Sequence, residues 1–497
     1  MKPSQRAKVI IRSVREYDAE RIRVVVREAL TELGIEPRGR TLVKPNLVVA
    51  GQMFRHAHTR PEFGEGVLLA LKDRDRGRMT ELGVGERCGI TIPSRYVFKE
   101  SGFDEVIERV GATRHLFDEV QQVRVPLTHA KRLRDYIYVP EPVARADFFV
   151  NCPKFKSHPW TTVTFCLKNY IGIQDDRHRL IDHDHALNRK VADLQHVIQP
   201  EFVAIDCITA GESRMLTPIP RDLGLVIMSN NQVAADAVCC RIIAQDPYDI
   251  EHIRLSHEDG FGPLAEADIE LAGDVSLEEA RERAQGFRVG LVRVEKYFEG
   301  SRISAYAGPP PVPDPNGYCW GGCPGAFEEA IEVLRLYDQR TDEKMPRLHF
   351  VFGNYKGELD VSYGEKVIFV GDCCTFEGHV GQELVKIENL YKDRSTLAPE
   401  AAKHDDIYAK MVDVLKRIRA AKHLPYLRLE GCPVSVAELI LVLAELGNTK
   451  NPYLDPREIL RFNAAYIGWR AKRAADWVTG VPYMAASEVP RGNAAPE

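Results

Sequence analysis

Apolar residues recur at two different spacings along the N-terminal part of the chain. Helical spacing runs from Ile22 to Leu33, with Asp18 placed to cap the start and Gly34 to end the helix. Shorter apolar runs predict buried strands, at residues 41–43, 148–150, 203–205 and 225–228. Strands that alternate with helices indicate an α/β fold of mostly parallel sheets flanked by helices.

The same alternation recurs after a segment rich in proline and glycine. It predicts a helix at 325–337, strands at 348–352 and 367–370, a helix at 405–421, a strand at 426–429 and a helix at 434–446. Prolines in 308–318 lack the N–H groups that helices and sheet ladders need, so this segment is predicted to be a linker. The predicted order is an α/β domain at 1–307, the linker at 308–318, a cysteine-bearing α/β domain at 319–487 and a disordered tail at 488–497.

Charge and hydropathy limit the partners that the chain is expected to have. The formal net charge is -5, so no global basic field is available to attract nucleic acid or an anionic membrane. The sequence has no apolar run of signal-peptide length and none of the roughly 18 residues that a membrane span needs. We therefore expect a cytoplasmic protein with no nucleic-acid or membrane partner.

Cysteines are concentrated at turns in the last third of the chain. The chain has eleven cysteines, an odd number that suits thiol, metal or catalytic roles better than a disulfide frame. Five of them stand beside glycine, proline or a predicted strand end: Cys319, Cys323, Cys373, Cys374 and Cys432. Because strand-to-helix turns of a parallel sheet share one edge, these five sulfurs are predicted to converge.

Converging thiolates are soft ligands, and they suit a [4Fe–4S] cluster or, as the alternative, a zinc ion. Cys323 and Cys432 are both predicted to lie at helix N-termini, where the helix dipole favours the thiolate. Either Cys373 or Cys374 can serve as the ligand after the strand. A set of small buried thiols without metal is the remaining interpretation.

The cysteine motifs are similar to those of the [4Fe–4S] subunit of respiratory complex I and of nickel–iron hydrogenase small subunits. The matching pieces are the Cys319/Cys323 motif, Gly371-Asp372-Cys373 after a strand, and Gly431-Cys432-Pro433. The spacing between Cys319 and Cys323 differs from the adjacent cysteines of complex I. The resemblance implies an iron–sulfur ligand set.

A second candidate site lies in residues 151–174, a stretch with three lysines and a histidine but no acidic residue. Lysines and hydroxyls suit a phosphate or carboxylate ligand, and the interleaved aromatic residues indicate a partly buried pocket. The predicted substrate-binding residues are Lys44, Asn46, Lys154, Lys156, Thr164, Lys168 and Asn169. The predicted catalytic residues are His158, Lys156 and Asp206. A solvated basic loop is the alternative.

These motifs also resemble those of the family named domain of unknown function 362, over roughly residues 5 to 265. The resemblance rests on Lys44-Pro45-Asn46, Gly85-Glu86, Ser101-Gly102-Phe103, the lysine stretch, Asp206, Asp236 and Asp246-Pro247. It implies an α/β fold and a site but no reaction. Many members carry ferredoxin-type cysteine modules, which implies an iron–sulfur partner domain, although this chain lacks the ferredoxin spacing.

Carboxylates and histidines in 175–185 are candidates for metal ligation or proton transfer, and a solvated acidic loop before a helix is the alternative. Asp206 and Asp236 are candidates for charge partners of the lysines, for caps or for structural ion pairs.

Three functional hypotheses follow from the two candidate sites. The first is an iron–sulfur redox enzyme that acts on an anionic small molecule and exchanges electrons with a partner protein. The second is a non-redox enzyme on a phosphorylated or carboxylated substrate, with structural zinc. The third is a binding or assembly protein that carries a cluster.

Overall fold

The structure is a computed structural model that describes most of the chain. The described residues are 6–51, 54–89, 92–127, 133, 135–174, 179, 183, 186–290, 292–311, 317–319, 322–392, 407–480 and 484–488. None of the helices in these residues combines the length and the apolar character needed to cross a lipid bilayer.

The described strands alternate with helices along most of the chain. The strands are β1 Ala7–Ser13, β2 Gly39–Pro45, β3 Met79–Glu86, β4 Thr113–Leu116, β5 Gln122–Pro126, β6 Tyr136–Pro140, β7 Phe148–Cys152, β8 Lys154–His158, β9 Thr162–Val163, β10 Phe202–Glu212, β11 Ile219–Ser229, β12 Ile269–Gly273, β13 Ile303–Ala307, β14 Leu348–Asn354, β15 Lys366–Val380, β16 Glu383–Ile387, β17 Tyr426–Leu429 and β18 Met484–Glu488.

The helices lie between these strands. They are Ala19–Glu32, Pro61–Arg74, Ser94–Glu100, Phe103–Val110, Glu141–Ala144, Phe165–Lys168, Leu187–Leu194, Gln232–Ile242, Glu251–Glu258, Leu277–Arg283, Val294–Tyr297, Cys323–Tyr337, Thr341–Lys344, Ile407–Ala420, Val436–Gly447 and Pro456–Val478, with short 3₁₀ turns at Asn169–Ile173, Pro247–Asp249, Glu266–Asp268 and Pro452–Leu454.

The chain divides into two compact units. The first unit comprises Met1–Arg179, Asn188–Gly290 and Arg461–Glu497, and the second comprises Leu180–Leu187 and Leu291–Leu460. The predicted linker at 308–318 does not coincide with this division, because residues 291–307 already belong to the second unit. The Gly308 N–H donates to Phe352 O at 2.8 Å, so this part of the segment adds to β14. Residues 312–316 and 489–497 lie outside the described residues.

The first unit is built on one large sheet. Its main strand order is β12-β1-β11-β10-β7-β2-β3-β4, and β8 extends it beside β10. β11 runs antiparallel to both of its neighbours, whereas the other pairs on this path are parallel. The carboxyl ends of β2, β7 and β10 therefore share one edge.

The predicted helix at the start of the chain follows the expected signals. It spans Ala19–Glu32, and Asp18 Oδ1 accepts hydrogen bonds from the N–H groups of Glu20 and Arg21. Its apolar face belongs to a buried cluster that also contains Phe148 and Val150 of the sheet. Burying this face stabilises the unit because apolar area leaves water.

The second unit has a smaller parallel sheet. β13, β14, β15 and β17 run parallel, and β16 pairs antiparallel with the end of β15. The helix Cys323–Tyr337 packs one face through Phe327, whose ring centroid lies 4.1 Å from that of Phe350. The prediction of an α/β protein with mostly parallel sheets flanked by helices is confirmed.

Candidate functional site

Lys44 lies next to the last residue of β2 in the first unit, and its side chain is fully buried. Its ammonium donates to Glu86 Oε2 at 2.8 Å, to Asn169 Oδ1 at 3.1 Å and to Pro45 O at 3.2 Å. The Asn169 amide nitrogen in turn donates to Asn151 Oδ1 at 2.9 Å. All three Lys44 protons are used within the protein, so Lys44 and Asn169 together form a structural network.

Lys154 and Asp206 form a second buried ion pair on neighbouring strands β8 and β10. The Lys154 ammonium donates to Asp206 Oδ2 at 2.9 Å and to the Tyr17 hydroxyl at 2.8 Å. The Tyr17 hydroxyl donates to the other carboxylate oxygen at 2.9 Å, and the Arg60 N–H donates to Asp206 Oδ2 at 3.0 Å. Both members of the pair are 0% exposed, so the carboxylate predicted to be catalytic is here a charge partner.

The remaining predicted residues of the lysine stretch make local contacts. Lys156 donates to the carbonyl oxygens of Ala57 and Met215, at 2.7 Å each. His158 Nδ1 accepts from the Trp160 N–H at 3.1 Å, and the Thr164 hydroxyl contacts Ser157 O at 3.5 Å. Asn46 Oδ1 accepts from the Val48 N–H at 3.3 Å. Residues 154–163 are a strand and hairpin rather than the solvated loop of the alternative interpretation, because Lys154 and Lys156 pair with β10 and are buried.

Lys168 differs from the other lysines. Its side chain is 9% exposed and its ammonium has no hydrogen-bond partner among the described residues. Burial, and after it the positive charges of Lys156, Arg179 and Lys190, lower the pKa of Lys168 well below its ordinary value. A buried cation among cations is costly unless an anion compensates it. Lys168 is therefore the best candidate for a ligand-binding group in this unit.

Three residues near Lys168 were not predicted from the sequence. Arg179 donates to Arg87 O at 2.9 Å, and Lys190 donates to Arg179 O at 3.0 Å. Burial and the Lys168 charge lower the pKa of His252 from 6.5 to about 3. Arg179, Lys190 and His252 lie near Lys168 because of the tertiary structure. Only Arg179 belonged to a segment that the sequence analysis had singled out, residues 175–185. Of that segment only Arg179 and His183 lie within the described residues.

Asp236 fixes the backbone that carries Lys168. Its two carboxylate oxygens accept hydrogen bonds from the N–H groups of Cys166 at 2.8 Å and Leu167 at 3.0 Å, at the start of the helix Phe165–Lys168. Burial raises the pKa of Asp236 from 3.8 to about 7. Among a charge partner, a cap and a structural ion pair, the structure supports the cap, because Asp236 binds the first N–H groups of the helix Phe165–Lys168.

In the second unit, three cysteines gather around two glycines at the edge of the sheet. A Cβ on Gly371 would lie 3.2 Å from the sulfur of Cys323 and 3.8 Å from that of Cys373. A Cβ on Gly322 would lie 2.9 Å from the sulfur of Cys319. Gly371 also has a positive φ of 98°, so a side chain at this position would strain the backbone and crowd the Cys323 sulfur.

The turn that carries Cys432 is hydrogen-bonded to the part of β15 that carries Cys373. The Asp372 N–H donates to Gly431 O at 3.0 Å, and the Gly431 N–H donates to Asp372 Oδ1 at 2.7 Å. The expected position of Cys432 at a helix N-terminus is wrong, because the helix begins at Val436. Ser435 caps that helix through a capping box with Glu438, a signal that the sequence contained.

Cys373 and Cys374 point to opposite faces of β15. Cys374 is 0% exposed in an apolar cluster with Val351 and Phe369, and its thiol donates to Val351 O at 3.3 Å. Cys373 lies on the side of Cys323. Because side chains alternate along a strand, only one of the pair can face the other sulfurs.

The chemistry of this cysteine group depends on protonation. Burial and the nearby Cys373 raise the pKa of the Cys323 thiol, although the Val434 N–H donates to its sulfur at 3.3 Å. The thiol form is therefore favoured, contrary to the expectation from the helix dipole. No group of three or more His, Cys, Asp or Glu among the described residues is arranged to hold a metal ion.

Comparisons with known proteins bear on the first unit. Residues 41–241 match the profile of a family described as "Domain of unknown function (DUF362)", which confirms the resemblance seen in the N-terminal motifs. The "Thylakoid-associated protein sll1697" of Synechocystis sp. is 24% identical over 269 residues, which cover 50% of this chain and 78% of that protein.

A solved structure, the lactate racemase apoprotein from Thermoanaerobacterium thermosaccharolyticum, aligns with 74% of this chain and 85% of its own. The TM-score is 0.32 and the identity 10%, and a likeness this low carries no functional implication. The similarity of the cysteine motifs to complex I and hydrogenase subunits stays a prediction.

We predict that Gly172→Ala strongly destabilises the first unit. The new Cβ would lie 1.8 Å from Glu86 Oε1 and 2.8 Å from Lys44 Nζ, so the buried ion pair would have to separate. The free energy of unfolding should fall by about 3 kcal/mol or more. Urea unfolding measures this, with Gly468→Ala as the control, because a Cβ there meets only the flexible end of Arg95. Equal stability of Gly172→Ala and the wild type would contradict the buried pair.

We predict that Asp236 makes stability depend on pH. Since its folded pKa is raised to about 7, its contribution is complete below 3.8 and is lost as the pH rises through about 7. The limit is on the order of 4 kcal/mol, because one pKa unit corresponds to about 1.4 kcal/mol.

Urea unfolding of the wild type and of Asp236→Asn, from about pH 5 to about pH 8, isolates this effect. The wild type should lose stability relative to the variant as the pH rises. Asp246→Asn, at an exposed cap, controls for loss of a carboxylate. A difference between wild type and Asp236→Asn that is the same at every pH would exclude this role.

Proposed function

We propose that the protein is an iron–sulfur redox enzyme acting on an anionic small molecule. In this proposal the second unit binds a [4Fe–4S] cluster through Cys319, Cys323, Cys373 and Cys432. The first unit binds the carboxylate or phosphate of the substrate at Lys168. When bound, such a cluster supplies or accepts single electrons, and an electron-transfer protein would complete the reaction.

The observation that supports the cluster most directly is the position of two sulfurs beside Gly371. The sulfurs of Cys323 and Cys373 lie 3.2 and 3.8 Å from the position that a Cβ on this residue would occupy. The sulfur of Cys319 has the same relation to Gly322. Glycine at both positions leaves room for a bulky inorganic group to approach the backbone.

The donor set suits a cluster better than a single zinc ion. Zinc needs all of its sulfurs within about 2.3 Å of one point, and the described residues show no such grouping. A [4Fe–4S] cluster spreads its four cysteines over four irons, so its ligands need not meet at one point. Cys323, Cys373 and Cys432 come from three separate parts of the second unit, and we favour the cluster as the group that joins them.

The substrate part of the proposal is supported by the charge around Lys168. The largest electrostatic influences on Lys168 come from Lys156, Arg179 and Lys190, all of them cations. Lys44 and Lys154 are neutralised by carboxylates and are not offered to a ligand. The proposed anion site therefore consists of Lys168 and the cations whose charges act on it, Lys156, Arg179 and Lys190.

We predict that Cys373→Ser and Cys374→Ser have opposite effects on the metal content. After anaerobic reconstitution, the wild type should hold about four irons and four sulfides per chain. Cys373→Ser should lose most of this iron, whereas Cys374→Ser should keep it. Because Cys374 lies in the apolar core, its serine variant should instead lose about 1–3 kcal/mol of stability.

Iron, sulfide and zinc analysis of the two variants tests the assignment. Iron lost from Cys374→Ser but kept by Cys373→Ser would reverse it. One zinc per chain without sulfide would support the non-redox hypothesis. A cluster whose spectrum and reduction potential do not change with any anion tested would support the hypothesis of a binding or assembly protein.

We predict that Lys168→Met separates binding from stability. Removing an uncompensated buried cation should leave the free energy of unfolding unchanged or raise it, by up to about 3 kcal/mol. The same change should weaken the binding of inorganic phosphate by about tenfold or more, since it removes a charge-assisted hydrogen bond.

Isothermal titration with inorganic phosphate and urea unfolding measure the two effects. The exposed Lys99 provides the matched control, Lys99→Met, which should change neither quantity. Phosphate affinity that is equal in Lys168→Met and the wild type would remove Lys168 from the anion site.

A further inference from the structure

The backbone around Lys168 is held rigidly. Besides the cap from Asp236, the Gln195 side chain donates to Leu167 O at 3.1 Å, and the Asn151 side chain donates to Cys166 O at 2.9 Å. Asn169, the next residue, is bound to the Lys44 network. The amine of Lys168 therefore projects from a fixed base, which reduces the entropy lost when it reacts.

The environment of this amine favours its neutral form. Burial lowers the pKa of Lys168 first, and the charges of Lys156, Arg179, Lys190 and Lys44 lower it further. A neutral amine keeps a lone pair and is a nucleophile, and lysines next to other cations are activated in this way.

A second polar atom near Lys168 is also available. His252 is 0% exposed, and its Nδ1 lies 2.9 Å from Asn188 Oδ1. That acceptor places the proton on Nδ1 and leaves a lone pair on Nε2. His252 Nε2 has no hydrogen-bond partner among the described residues, and the Lys168 charge acts on this ring. The site thus contains a free amine and a free imidazole nitrogen.

We propose that Lys168 forms an imine with the carbonyl carbon of an anionic aldehyde or ketone. This inference rests on the anion site of the proposed function and names the substrate class of that site. The Lys168 nitrogen bonds to the carbonyl carbon, and the carbonyl oxygen takes up protons and leaves as water. An amine and a carbonyl thus give an imine and water, with no oxidant or reductant needed.

The neighbouring residues have defined parts in this step. The cations Lys156, Arg179 and Lys190 attract the carboxylate or phosphate of the substrate and stabilise the negative charge that develops on the carbonyl oxygen. His252 Nε2 can accept a hydrogen bond from the attacking nitrogen and orient it. His252 is therefore a positioning residue, and Lys168 is the residue that bonds to the substrate.

Pyridoxal 5′-phosphate is a suitable probe because it carries an aldehyde and a phosphate. The full-length protein is treated with a limiting amount at neutral pH, the imine is reduced with cyanoborohydride, and labelled peptides are quantified by mass spectrometry. Lys168 should be labelled at least about tenfold faster than the exposed Lys99, since each pKa unit below an ordinary lysine gives tenfold more free amine. Inorganic phosphate should slow this labelling.

Lys168→Arg keeps the charge but cannot form the imine, so it should lose the fast label while Lys99→Arg retains it. Labelling of Lys168 no faster than that of Lys99 would overturn the inference. Phosphate titration of the same wild-type sample distinguishes failure of the imine from failure of the anion site. If phosphate binds but Lys168 is not labelled, the imine is excluded and the anion site stands. If phosphate does not bind, the anion site itself fails.

Discussion

The cost of burying charge is the constraint that organises the first unit. Lys44 and Lys154 are buried completely, and each is matched by a carboxylate within 2.9 Å. Both pairs have further hydrogen bonds, which is what buried ions need in order to persist. Lys168 lies in the same part of the fold without such a match among the described residues. Lys44 and Lys154 have carboxylate partners and Lys168 has none among the described residues, and we therefore assign an anionic ligand to Lys168.

A related geometry organises the second unit. Parallel strands place successive turns on one edge, and the pairing of Val370 with Leu429 brings the bend at Gly371 within β15 next to the turn after β17. Gly371 and Gly431 allow the backbone to bend there with φ values of 98° and 144°. The sulfurs of Cys323 and Cys373 both lie within 4 Å of the position that a Cβ on Gly371 would occupy. The glycines are therefore as important to the proposed cluster site as the cysteines.

Much of the fold was predictable because the hydrophobic periods are local. The helix Ala19–Glu32 and the strand Tyr426–Leu429 lie close to the predicted positions. The reversed direction of β11 was not predictable, since alternation of elements does not report strand direction. The division into units also differs from the prediction, because a proline-rich segment can still pair with a strand through its glycine.

The candidate sites were predicted less completely, for reasons of tertiary structure. The sequence indicated that the lysines would be partly buried, but not that Glu86 and Asp206 would neutralise two of them. Arg179, Lys190 and His252 reach Lys168 from other parts of the chain, so no local pattern joins them. The choice between Cys373 and Cys374 depends on which face of β15 meets the core, and only the packed sheet determines this.

The most direct measurement is the titration of Lys168 by NMR, with lysine side chains labelled in ¹³C and the signal assigned by its loss in Lys168→Arg. Our account predicts that Lys168 loses its proton at a lower pH than the exposed lysines, and that inorganic phosphate shifts this titration upward. A Lys168 signal that titrates together with the exposed lysines, and that phosphate leaves unchanged, would contradict the account.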